Sequence, residues 1–240
     1  MDKAVKEPTA VQEPTARHMS AIEQLERDDA SRKKFLKMVG GAGAASAFAI
    51  FLAACGKSDE KKTSTAPPPP AAGGNSEAQK MFGKGDAGIL KYALTLEYLE
   101  ADFYKQAAES GKLKGKALGL GKEFGEQEQA HVDALSKALK QMGESLPDKP
   151  KGKFPLDSQQ KILTTAADVE SLGASAYLGA AGLIKDKQIL AVALSIHTVE
   201  ARHASALAQT LGRPITPDGA FAKPTTMDEV LTKVKPFIAS

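Results

Sequence analysis

Two helical spacings, each occurring twice, constrain this chain more than any other feature. Glu128-Gln-Ala-His131 and Glu200-Ala-Arg-His203 each set a glutamate three residues before a histidine inside long helix-forming stretches. An α-helix turns about 100° per residue, so positions three apart share one face and can grip one object. Each motif follows a second helical stretch in which an isolated glutamate precedes a tyrosine by seven residues, Glu97 with Tyr104 and Glu170 with Tyr177. Glu97 lies 31 residues before Glu128, and Glu170 lies 30 before Glu200. The chain therefore contains two copies of one helical hairpin.

The apolar pattern places these residues inward. Leu90, Ala93, Leu94, Glu97, Ala101 and Tyr104 form one stripe, and Ile196 and Leu207 flank Glu200 and His203. Burying a carboxylate beside an imidazole is costly unless a cation compensates. The spacing predicts a first helix from Asp86 to a stop at Gly111, and a second from Phe124 to Met142. A third runs from Ser158 to Leu183, and a fourth from an N-cap at Asp186 to Leu211 before Gly212-Arg-Pro214. Residues 144–157, with Pro147, Pro150 and Pro155, span up to about 46 Å when extended, enough to run the length of a helical bundle. Thr226-Met-Asp-Glu229 is a capping-box pattern that opens a short tail helix. No strand-like alternation competes after residue 77.

Four helices, with one glutamate from each of two and Glu-x-x-His from each of the others, supply the donors of a dimetal carboxylate centre. Four carboxylates neutralise two divalent cations, two of them can bridge, and each imidazole completes one ion. Oxygen donors with two nitrogens suit iron or manganese, and a single cysteine excludes a Cys-rich zinc site or an internal disulfide framework. Neither motif has the His-Glu-x-x-His form of a zinc protease. The expected metal ligands are Glu97, Glu128, His131, Glu170, Glu200 and His203. Glu100, one turn beyond Glu97, is the alternative to it. Tyr104 and Tyr177 are either donors beside the metals or core tyrosines, and His197 either orients a ligand carboxylate or is a partly exposed histidine. Net charge is only +3 over 240 residues, tryptophan is absent, and no basic block is interleaved with aromatics, which argues against nucleic acid as a partner.

The N-terminal third carries a different message. Ser31-Arg-Lys-Lys-Phe-Leu-Lys37, the apolar run 38–54 and Leu52-Ala-Ala-Cys55 read as a charged region, a short apolar core and small residues before a cut, the pattern of an export signal. The first stretch resembles a twin-arginine signal with Lys33 in place of the second arginine. Leu52-Ala-Ala-Cys55 resembles a bacterial lipobox, which implies lipid attachment at Cys55; an ordinary signal in which Cys55 is merely small is the alternative. Residues 57–75, with four consecutive prolines at 67–70, read as an extended spacer.

The helical stretches Ala93-Leu-Thr-Leu-Glu97-Tyr-Leu-Glu-Ala-Asp-Phe-Tyr104 and Glu128-Gln-Ala-His-Val-Asp-Ala134 are similar to the ferritin-like superfamily, in its exported branch of desiccation-related and stress-response proteins. The resemblance implies an all-α, ferritin-like four-helix bundle with a long crossover between helices 2 and 3 and a short C-terminal tail helix. The expected domains are an N-terminal extension and export signal (1–54), a lipid-anchored proline-rich linker (55–84), the bundle (85–213) and the tail (214–240). It implies two iron or manganese ions, with dioxygen or peroxide as co-reactant, in a membrane-anchored lipoprotein facing the periplasm or the cell exterior. Two functions stay open: an oxidoreductase that oxidises ferrous iron or removes peroxide, and a non-catalytic stress protein with a structural or vestigial metal site.

Overall fold

The computed structural model describes residues 74–239, and these are all helix and loop with no strand. Arg32, Lys33, Cys55 and the prolines at 67–70 lie outside the described residues. The helices are α1 (Ser76–Phe82), α2 (Gly85–Glu109), α3 (Gly115–Gln141), α4 (Gln159–Ala181), α5 (Lys187–Thr210) and α6 (Met227–Val234), followed by a 3-10 turn, Lys235–Phe237. None of the described helices is long and apolar enough to cross a membrane.

The bundle is built from two hairpins, α2 with α3 and α4 with α5. On α5 the buried positions are Ala193, Ile196, Glu200, His203 and Leu207, a single stripe at alternating spacings of three and four. That periodicity turns one face inward, and the candidate ligands fall on it. On α3 the same rhythm runs through Ala117, Gly121, Phe124, Glu128, His131, Leu135 and Leu139. α2 is buried on several sides, because α1, α3, α4 and residues 144–158 all touch it. Thus Tyr92, Leu96 and Leu99, off the main stripe, are core residues too.

Helix ends follow their local chemistry. Asp186 accepts from the amides of Gln188 and Ile189, and Ser158 accepts from that of Lys161. Thr226 and Glu229 close the capping box that opens α6. Gly111 and Gly212 follow helix ends with left-handed φ of 67° and 66°, where a side chain would be strained.

Two boundaries differ from the sequence expectation. α3 begins at Gly115 rather than Phe124, because its glycines lower helix propensity but permit close packing. A Cβ on Gly125 would sit 3.0 Å from Tyr104 Cβ, and one on Gly121 would sit 2.9 Å from Leu113 Cδ1. The linker assigned to 55–84 contains a helix, α1, whose Ala78 is 1% exposed. α1 and α6 cap one another: Asp228 accepts from the amides of Ala78 (2.8 Å) and Glu77 (3.2 Å), while Asn75 accepts from that of Met227 (3.0 Å).

Residues 142–158 connect the hairpins. Glu144 pairs with Lys91, Gly152 donates its amide to Asp102, and the side chain of Gln159 accepts from the Lys114 amide. The connector therefore follows α2 from its first turns to its end.

Candidate metal centre

The bundle core has an apolar cluster at each end. Phe103, Tyr104, Phe124, Leu163 and Leu207 belong to one, and Leu94, Tyr98, Val132, Tyr177 and Ile196 to the other. Between them, at mid-helix, lie Glu97, Glu128, Glu170 and Glu200, all 0% exposed, with His203 at 2% and His131 at 9%. All six residues singled out as ligands are brought together.

They form two groups that share members. Glu97, Glu128, His131 and Glu200 make one, and Glu128, Glu170, Glu200 and His203 the other; in each, one donor atom per residue lies within 4.8 Å of all the rest. Donor atoms gathered this closely could surround one cation in each group. Glu128 and Glu200, the glutamates of the two Glu-x-x-His motifs, belong to both groups and are placed to bridge. Nδ1 of His131 is 2.9 Å from Glu128, 3.2 Å from Glu200 and 3.3 Å from Glu97. Nδ1 of His203 is 3.0 Å from Glu128 and 3.1 Å from Glu170. Glu200 Oε2, fully buried and without a hydrogen-bond partner, fits the same reading: a cation would satisfy it.

The electrostatics have one origin, several carboxylates crowded into a dry core. Burial, then the neighbouring Glu200, raises Glu97 well above the usual carboxylate range. Burial and Glu170 do the same to Glu200, and burial, with Glu128 adding, raises Glu170 against the pull of His203. Glu128 goes the other way: burial opposes ionisation, but hydrogen bonds from His131 and His203 hold it down to about 2. Burial disfavours charge on the imidazoles too, yet their carboxylate partners raise His131 to about 12 and His203 to about 10. Such a site holds positive charge tightly, whether as protons or as metal.

Tyr104 and Tyr177 are donors. The Tyr177 hydroxyl donates a hydrogen bond to Glu97 at 2.5 Å, and the Tyr104 hydroxyl donates one to Glu170. His197 is half-buried, and its Nδ1 donates to the Ala174 carbonyl on α4 at 2.9 Å. Glu97 belongs to one of the two four-residue groups, and Glu100 lies outside both.

Sequence reasoning missed two contacts. Gln127 Oε1 accepts from His203 Nε2 at 2.7 Å, which fixes Nδ1 as the nitrogen facing the carboxylates, and Phe124 stacks on the same ring at 3.9 Å. Gln127 is the immediate neighbour of Glu128, but nothing local shows that it reaches across to α5.

Residues 85–213 match the model of the family described as the ferritin-like domain. No curated protein matches the chain. Among solved structures, a conserved hypothetical protein from Mycobacterium tuberculosis is similar at 20% identity and TM-score 0.49, over 53% of this chain and 90% of that one. A hypothetical protein from Methanococcus jannaschii is similar at 16% identity and TM-score 0.44, over 71% of this chain and 97% of the other. With the family match spanning residues 85–213 and all six donors inside it, the chain belongs to the ferritin-like domain family.

Proposed function

We propose that the protein binds two iron or manganese ions and uses them outside the cytoplasm to handle iron or oxidants, by ferrous oxidation or peroxide removal. The observation that carries this reading is the sharing of Glu128 and Glu200 between two four-donor groups. A single structural ion would need one group; the shared glutamates suit two ions. Glu97 and His131 would complete one, Glu170 and His203 the other. Bound there, such a metal pair supplies one-electron chemistry toward dioxygen or peroxide.

The polypeptide's own part is to hold and orient. The tyrosine hydroxyls fix the terminal glutamates Glu97 and Glu170, Gln127 fixes His203, and the apolar clusters at either end keep water away. The export-signal resemblance over residues 31–54 and the lipobox resemblance ending at Cys55 support a lipid-tethered protein facing the periplasm or the exterior.

The test is to load the purified protein with iron or with manganese and follow ferrous oxidation and peroxide consumption against a Glu128→Ala/Glu200→Ala variant. Turnover by the wild type alone is expected. Metal-loaded wild-type protein that turns over neither substrate faster than the variant would leave a structural metal site, and the stress-protein reading would stand instead.

A further inference from the structure

Toward the end of the bundle where α4 turns into α5 lies a cavity of about 20 Å³, walled by α2, α3, α4 and α5. Its existence follows from residue choice. Four alanines, Ala93, Ala176, Ala180 and Ala193, line it at positions where a longer side chain would fill the space. Leu135 closes it on α3. Ile184 and Ile189, on either side of the α4–α5 turn, are the two wall residues that are only half-buried.

The wall decides what can occupy this space. Every lining side chain is aliphatic except those of two tyrosines. Tyr177 already commits its hydroxyl to Glu97, which leaves the single unpartnered hydroxyl of Tyr92. A buried water makes about two to four hydrogen bonds, so water and peroxide are poorly held here, whereas apolar cavities stay dry and take up apolar molecules. About 10–15 Å³ admits one water-sized particle, so the space suits one small diatomic molecule.

The cavity also adjoins the metal centre. Ala93 precedes Glu97 by four residues on α2, about 6 Å along the axis, and Leu135 follows His131 by four on α3. Tyr177 stands between the two: its ring lines the cavity, and its hydroxyl is 2.5 Å from Glu97 Oε1.

We propose that this cavity is a dioxygen-holding site that supplies the dimetal centre past the ring of Tyr177. The proposal rests on the dimetal reading and narrows it, naming dioxygen as the oxidant taken in on this side. An apolar molecule enters beside Ile184 and Ile189, where the wall is thinnest toward solvent. The alanines are then a functional choice, since larger apolar residues would fill the core and remove the site.

The experiment follows methyl protons of the full-length protein by nuclear magnetic resonance under dioxygen pressure, first with all metal stripped. Dissolved dioxygen is paramagnetic and speeds the relaxation of protons it touches. Leu135, Ile189 and Ala193 are expected to gain several-fold more relaxation than Leu163 and Leu207 in the cluster at the other end, and the difference is expected to vanish in Ala193→Leu. Equal relaxation at the two ends overturns the dioxygen site, whatever metals bind. In the iron-loaded protein, Ala193→Leu should raise the KM for dioxygen in ferrous oxidation several-fold and leave the peroxide-driven rate and the iron stoichiometry unchanged. An unchanged KM for dioxygen overturns supply to the centre. A wild type that shows the relaxation difference but binds no metal sinks the dimetal reading, and the supply with it, and leaves the dioxygen site standing. Ala93→Val repeats both arms if Ala193→Leu does not fold.

Discussion

Tyr177 on α4 donates its hydroxyl to Glu97 on α2 at 2.5 Å, and Tyr104 on α2 answers by donating to Glu170 on α4. Each hairpin's tyrosine thus serves the other hairpin's terminal carboxylate, and the seven-residue Glu-to-Tyr spacing is what makes the exchange reciprocal. Burial first, and the adjacent carboxylate second, raise both phenols well above the usual tyrosine range, so each keeps its proton to donate.

Tyr177→Phe removes that donor and leaves a fully buried carboxylate oxygen unsatisfied, a cost of about 1–3 kcal/mol. Metal affinity should fall about 10–100-fold, the usual effect of losing a partner that orients a ligand. A Mn(II) titration and a thermal melt check the two parts. Tyr104→Phe should behave alike through Glu170.

Metal affinity should rise with pH. Binding must displace the protons that His131 and His203 hold up to about 12 and about 10, and those retained by Glu97, Glu170 and Glu200. Stability without metal has the opposite slope. The histidines' contribution is fully present below their unfolded value of 6.5 and is lost as pH rises through about 10 and about 12. The raised glutamates act in the same direction from 4.5 upward. Glu128 alone contributes stability that is present above 4.5 and lost as pH falls through about 2. Melting temperatures of chelator-treated protein from pH 5 to 9 should therefore decline, and added Mn(II) should flatten the decline. A metal-free stability that climbs over that range would contradict these assignments.

Gly179 lets the tail lie flat on α4. A Cβ there would meet the Thr225 carbonyl at 2.0 Å, at the strand of chain where the Thr225 amide donates to Ser175. Gly179→Ala should push the tail away and cost about 1–3 kcal/mol, as overpacking does. A melting temperature lowered by several degrees, with faster amide exchange in α6, is the expected result.

The six donors were legible because helical periodicity is a local property, and a residue three positions along lies on the same face wherever the helix packs. The same reasoning placed Ile196 and Leu207 with Glu200 and His203 in the core. What escaped was non-local. α3 starts nine residues earlier than its pattern suggested because packing against Tyr104 and Leu113 rewards glycines that local propensity penalises. α1 is too short to form alone, and its amides are answered by Asp228 from the far end of the chain. The seven-residue spacing to Tyr104 favoured Glu97 over Glu100 in sequence, and the packing of α4 sets Glu97 in a donor group and Glu100 against Gly173.

Glu128→Ala with Glu200→Ala should abolish binding at both ions at once, because both groups depend on this pair. The helices should persist, since removing carboxylates also removes buried charge. Circular dichroism with metal analysis separates these outcomes. Retention of two ions per chain would contradict the shared-glutamate arrangement.

The most direct measurement is the metal content of the full chain, purified without chelator from iron- and from manganese-supplemented growth, by elemental mass spectrometry. The central claim predicts at least two iron or manganese ions per chain. A folded, helical protein carrying neither metal under either condition would contradict it.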